Sequence, residues 1–163
     1  MDDTLLHLAA VYGTIEIVDA LIKNGASVNA VGRFEETPLH HAARFDKVEM
    51  MKVLMENGAN VDAVDELENT LLHTAILEAP GDNVDTVKTL IENDANVRVV
   101  DNLGETPLHG TACEGCTDMV QILMESGADP NVTRYGEETL LHLAAQNNHF
   151  EIVKYLADNG ADI

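Results

Sequence analysis

The sequence predicts an all-α solenoid of five helix-turn-helix units joined by β-hairpin-like loops, and two periodic markers carry the prediction. Thr4-Leu5-Leu6-His7, Thr37-Pro38-Leu39-His40, Thr70-Leu71-Leu72-His73, Thr106-Pro107-Leu108-His109 and Thr139-Leu140-Leu141-His142 are five copies of one tetrapeptide, spaced by 33, 33, 36 and 33 residues. A second marker keeps the same beat. Asn24-Gly25-Ala26, Asn57-Gly58-Ala59, Asn93-Asp94-Ala95, Ser126-Gly127-Ala128 and Asn159-Gly160-Ala161 are centred 21 residues after each Thr, or 24 in the third copy. The repeats then run over about residues 1–33, 34–66, 67–102, 103–135 and 136–163. They form one domain, in which each unit buries its face only against its neighbours.

Each repeat is built in the same order. In the second copy Thr37 caps a first helix and Pro38 stands at its first position, where the missing N–H is not needed and the fixed φ already suits a helix. That helix should run from about Pro38 to Arg44. Ala42 and Ala43, like Ala9, Ala10, Ala144 and Ala145, keep the inner helices slim enough to approach to about 8–10 Å. The second helix, about Val48 to Asn57, offers Val48, Met51, Val53 and Leu54 as its buried set, and Gly58 closes it in the left-handed conformation. Asp94 takes that Gly position in the third repeat, where a softer helix end is expected. The three extra residues of that repeat fall around Glu78-Ala79-Pro80-Gly81-Asp82, a lengthened turn between its two helices.

The Thr-Pro-Leu-His signature, its period and the helix-turn-helix unit resemble those of the ankyrin repeat family over the whole chain. The resemblance implies a motif His that ties its helix start to neighbouring turns through hydrogen bonds. It also implies that a partner binds on the tips joining successive repeats and on the exposed side of the first helices, which together form one concave face. Carried over residue by residue, that surface comprises Tyr12, Arg33, Phe34, Arg44, Phe45, Glu66, Leu67, Leu77, Asn102, Leu103 and Tyr135. Phe34, Leu67 and Leu103 should form an apolar row with no core to explain it, the usual mark of a binding surface. Phe150 and Tyr155 instead occupy core-like positions of the last unit. The family's tip pattern of Asp, two residues, Gly, one residue and Thr survives intact only at Asp101-Asn102-Leu103-Gly104-Glu105-Thr106. Glu35, Glu68 and Glu137 take the Gly place, so those turns either change type or carry left-handed strain. Gly136, one place early, points to a rebuilt last turn. Asn29 and Asn131 stand at the hairpin position that is hydroxylated by an asparaginyl hydroxylase in similar repeats, and the turn-forming hydrogen bonds of Asn offer a structural reason for the same residue.

Composition narrows the partner. Asp and Glu number 29 against 9 Lys and Arg, a formal charge of −20. Nucleic acid requires clustered Lys and Arg to neutralise its phosphates, so the acid points either to a basic protein or peptide as partner or simply to solubility of a leucine-rich stack. No apolar run is long enough to insert in a bilayer, and the two cysteines give no disulfide framework. A cytoplasmic or nuclear setting is the expectation. Five motif histidines invite a metal or acid-base reading, but equivalent atoms about 8–10 Å apart cannot share a zinc ion whose ligands lie about 2 Å away. Cys113-Glu114-Gly115-Cys116 is the one pattern with reactive precedent. It lies in the turn between helices with no second such pair, and His149, one repeat along, could add a third ligand only if the stack flexed. No cofactor and no enzymatic activity are expected.

The end repeats lack the polar outer face of capping units. The first presents Leu6, Ile15, Val18, Leu21 and Ile22 like an internal copy, which points to a segment of a longer array or to end-to-end self-association. The first expectation is therefore a protein-interaction module. A passive scaffold or elastic segment of a longer array, and a metal or redox protein built on Cys113 and Cys116, are the alternatives.

Overall fold

The computed structural model describes residues 2–78 and 83–163, so the lengthened turn of the third repeat lies outside the described residues except for Glu78. Ten α-helices, two per repeat, fill it: α1 Leu5–Tyr12, α2 Ile15–Lys23, α3 Pro38–Arg44, α4 Val48–Glu56, α5 Leu71–Leu77, α6 Val84–Glu92, α7 Pro107–Glu114, α8 Thr117–Glu125, α9 Leu140–Gln146 and α10 Phe150–Asp158. Contacts divide the chain into two compact units, Met1–Ala95 and Asn96–Ile163. In the first unit α1 packs on α2 and α3, α3 on α4 and α5, and α6 on α4 and α5. In the second, α7 packs on α8 and α9, and α10 on α8 and α9.

Five inner helices start alike because the same chemistry starts them. Each motif Thr is an N-cap in extended conformation, and Pro38 and Pro107 take the first helical position. Three residues on, the His ring folds back. The backbone N–H of Thr37 donates to Nδ1 of His40 at 3.1 Å, and the Thr37 hydroxyl lies 2.9 Å from the same nitrogen. An accepting Nδ1 leaves the proton on Nε2, and Nε2 of His7 donates to the Glu36 carbonyl of the next repeat at 3.1 Å. Nε2 of His40 is buried near the Asn69 carbonyl but makes no hydrogen bond of normal geometry to it. The resemblance's expectation of a His tie between neighbouring turns is therefore met at His7. These rings are buried, which pushes the pKa of His7 down and that of His40 down to about 4.

Each unit has its own core. Leu6, Val18, Leu39, Met51, Leu54, Leu72, Val87 and Leu90 are fully buried in the first, and Leu108, Val120, Leu123, Leu140, Leu143, Ile152 and Leu156 in the second. Ala9, Ala10, Ala42, Ala43, Ala75, Ala112 and Ala144 are buried among them, as the close approach of inner helices requires. The buried face of α4 is Met50, Met51 and Leu54, with Val48 and Val53 only half-buried. The position of Met50 is also buried in the other described repeats that follow one, as Thr86, Met119 and Ile152, so it belongs to the buried face whatever the side chain. Phe150 corrects a second expectation: it is 70% exposed. Its equivalents Ile15, Val48 and Val84 open the outer helices and none is fully covered, so this position is the rim of the stack and not its core.

Gly25, Gly58, Gly127 and Gly160 end the outer helices at φ between 87° and 97°, and Asp94 ends α6 at φ 66°.

Candidate interaction surface

The hairpin tips are of two kinds, set by one residue five places before the Thr. Where that residue is Asp, its side chain holds the tip. Oδ1 of Asp65 accepts the N–H groups of Leu67 and Asn69 at 2.8 and 2.9 Å, and Oδ1 of Asp101 accepts those of Leu103 and Glu105 at 2.9 Å each. Only one residue of such a tip then turns left-handed, Glu68 at φ 62° or Gly104 at φ 76°. Where Gly32 or Arg134 stands instead, no side chain at that position takes the N–H groups two and four residues on, and two successive residues turn left-handed. They are Phe34 and Glu35 at 55° and 59°, and Gly136 and Glu137 at 83° and 61°. The rebuilt last turn is thus real, and Phe34 shares its geometry without a glycine's freedom. The expectation of left-handed strain at Glu35, Glu68 and Glu137 is met at all three. Short β-bridges, Val64 with Thr70 and Thr133 with Thr139, close the hairpins.

On this scaffold the apolar surface residues are exposed as expected. Tyr12 and Tyr135 are about four-fifths exposed, and Phe34, Phe45, Leu67, Leu77 and Leu103 about half. Within the first unit the tips are joined, the Glu66 N–H donating to the Phe34 carbonyl at 2.8 Å. Arg33 lies over the Phe34 ring at 5.3 Å, and its own N–H donates to Asp3 Oδ1. Glu66 and Asn102 are exposed beside the apolar tips. Val31, Val64 and Val100 recur three residues before Phe34, Leu67 and Leu103 and are also more than two-fifths exposed. Sequence reasoning passed over them, although they keep the repeat's period.

The arginines of this surface are already engaged. Arg44 is clamped between Glu36 and Glu78, the Nε of Arg44 donating to Glu78 at 2.8 Å and its guanidinium pairing with both Glu36 oxygens. Glu36 is buried, and His41 is its second side-chain partner at 3.0 Å. Burial opposes its ionisation, yet the hydrogen bonds from His41 and Arg44 outweigh that and hold the carboxyl below the usual range. In the second unit Arg134 joins Glu105 to Glu138, and Gln146 donates to Glu138 at 3.0 Å. Arg44 therefore braces a tip against the end of the next inner helix, a contact 34 residues long in sequence that no single repeat reveals. What remains exposed around the apolar residues is acid: Glu35, Glu66 and Glu68 in the first unit, Glu114 and Glu137 in the second.

Asn29 and Asn131 are exposed, but their amides are occupied. Asn29 donates to the Gly58 carbonyl and accepts from the Asn60 N–H; Asn131 does the same with Gly160 and Asp162. Arg98, at the equivalent place, donates to the Gly127 carbonyl at 2.7 Å. Each ties one hairpin to the helix end of the next repeat. Cys113 and Cys116 are half-buried and not joined in a disulfide, and burial pushes the Cys113 thiol up. The nearby His149 spends Nε2 on the Cys113 carbonyl at 2.9 Å, and its ring lies where a Cβ on Gly115 would be. Among the described residues no group of three or more His, Cys, Asp and Glu could hold a metal ion, and no helix is long and apolar enough to cross a membrane.

The chain matches the family model for ankyrin repeats, in three copies, over residues 6–101 and again over 72–163. No curated protein matches it.

Proposed function

This chain belongs to the ankyrin repeat family, whose repeats are protein-interaction modules, and we propose that it is a non-enzymatic module binding a basic protein or peptide in an intracellular setting. The contacts are the tips and inner-helix ends of each unit: Phe34, Leu67, Tyr12, Phe45 and Leu77 in the first, Leu103 and Tyr135 in the second. The observation that carries the reading is the pairing of exposed apolar side chains with uncompensated acid. Arg44 and Arg134 are each consumed by two glutamates, so an incoming cation meets mostly carboxylates, with the exposed Arg33 over Phe34 as the one charge of its own sign beside these contacts. Apolar burial then holds the complex, and each side chain fully covered contributes about 1.5–3 kcal/mol.

The test is binding of fluorescent Lys/Leu, Glu/Leu and Ser/Leu peptides of equal length. The Lys/Leu peptide should bind, and Phe34→Ala with Leu67→Ala should weaken it by about tenfold or more. Equal binding of the acidic peptide, or indifference to the double substitution, would overturn the reading. The scaffold and the Cys113–Cys116 alternatives gain no observation of their own from the structure.

A further inference from the structure

We propose that Ser126 is a phosphate acceptor for a serine/threonine kinase that selects acidic substrates, and that Arg98 holds the phosphate it receives. All the outer helices end on one kind of side-chain bond. Asn24, Asn57, Asn93 and Asn159 each donate their amide to the carbonyl four residues back, at 2.8 or 2.9 Å. Ser126 takes the same position and keeps the bond, its hydroxyl donating to the Ile122 carbonyl at 2.8 Å. The helix end therefore does not require Ser. What Ser adds is a nucleophilic oxygen, and the residue is exposed.

The flanking charge singles it out. A kinase with a basic substrate cleft recognises carboxylates that follow the acceptor, by charge-assisted pairing. Among the Ser and Thr residues only Thr89, Thr111 and Ser126 have an acidic residue three places on, namely Glu92, Glu114 and Asp129. Thr89 and Thr111 are buried, which leaves Ser126, with Glu125 and Asp129 both exposed beside it.

The opposite charge is already in place. Arg98 stands where Asn29 and Asn131 stand and, like them, reaches the helix end of the next repeat. Its Nε donates to the Gly127 carbonyl at 2.7 Å, and its terminal nitrogen lies 3.5 Å from where a Cβ on Gly127 would be. Arg44 and Arg134 are each held by two carboxylates, whereas among the described residues no carboxylate pairs with Arg98. The outer-helix end that carries a hydroxyl in place of Asn is thus the one that an arginine faces. In the transfer Ser126 Oγ attacks the γ-phosphorus of ATP, the Oγ–P bond forms as the bond to the ADP oxygen breaks, and the hydroxyl proton passes to the kinase's base. A phosphate there meets the negative end of the helix dipole. The guanidinium offsets this with two parallel charge-assisted hydrogen bonds.

Mass spectrometry of the folded whole chain, incubated with ATP and a kinase of this specificity, tests the proposal. It should show one added phosphate on Ser126 and none on Ser126→Asn, the residue that ends the other outer helices. Asp129→Asn, which keeps an oxygen for the Asn131 N–H, should slow the transfer about tenfold or more. In the phosphorylated protein the phosphorus resonance should titrate at lower pH than in phosphorylated Arg98→Asn, an exchange that restores the amide donor of Asn29 and Asn131. Glu125 and Asp129 act alike in both proteins, so the difference belongs to Arg98. Phosphate on other residues with Ser126 unmodified, transfer to a peptide of residues 121–133 but not to the folded chain, or a titration unmoved by Arg98→Asn would overturn the proposal.

Discussion

His40 shows what one buried side chain commits the molecule to. Its ring is fully buried, takes the Thr37 N–H on Nδ1 and faces the Asn69 carbonyl, an arrangement that only the neutral ring completes. Burial holds its pKa at about 4 against 6.5 for a free imidazole. Between those values the unfolded chain binds a proton that the folded chain refuses, so stability is level above pH about 6.5 and falls with acidification down to pH about 4. The depression is equivalent to about 3 kcal/mol over that window. Chemical denaturation across the window should show the slope, and the His40 ring resonances should titrate near pH 4. A titration near 6.5 would refute the buried neutral ring. Asn29 and Asn131 make the opposite case, in which resemblance suggests a reaction and geometry supplies a reason for the residue without one. Because both ends of each amide are hydrogen-bonded to the next repeat, incubation with an asparaginyl hydroxylase should add no oxygen to either. A gain of one oxygen at either, located by mass spectrometry, would show that these hairpins open.

At the scale of the element, the helix starts were fully legible because cap, Pro and His are consecutive residues, while the tips were legible only in part. The expected strain at Glu35, Glu68 and Glu137 follows from an absent Gly, but whether Phe34 turns left-handed depends on whether Asp stands two residues earlier to hold its N–H. Nor could the sequence show the Arg44 clamp or the His149 contact with Cys113, since each joins residues about one repeat apart and neither partner belongs to the signature. Phe150 lies at a position that only rims the stack, and a large apolar side chain there does not make it core. Helix ends offer a direct test of the strain argument. Asp94 is left-handed at φ 66° where four equivalents are Gly, so Asp94→Gly should stabilise the chain by about 0.5–1 kcal/mol, the left-handed penalty less the added freedom of Gly when unfolded. Gly58→Asp should destabilise it by a similar amount, since a Cβ there meets nothing within 4 Å and only the backbone conformation objects. Urea midpoints of the two variants moving in the same direction would show that something other than this conformation governs the helix end.

For the molecule as a whole, charge and apolar surface control different rates of the proposed basic partner's binding. A formal charge of −20 acts at long range and raises the rate of encounter, whereas Phe34 and Leu67 act only once water has left the contact. Raising ionic strength to the physiological range shortens the Debye length to about 8 Å and should slow association while leaving dissociation nearly unchanged. Replacing Phe34 and Leu67 with Ala should speed dissociation and leave association nearly unchanged, because neither substitution alters the field. Arg44→Ala separates the two effects further. It removes a cation from the surface, which should speed encounter, but it strips Glu36 of the guanidinium that compensates its burial and destabilises the first unit by about 3 kcal/mol. Stopped-flow binding of a Lys/Leu peptide to folded protein reads both rates. If salt acts on dissociation, or the alanine substitutions act on association, then the long-range field and the tip contacts are not the separate agents argued here.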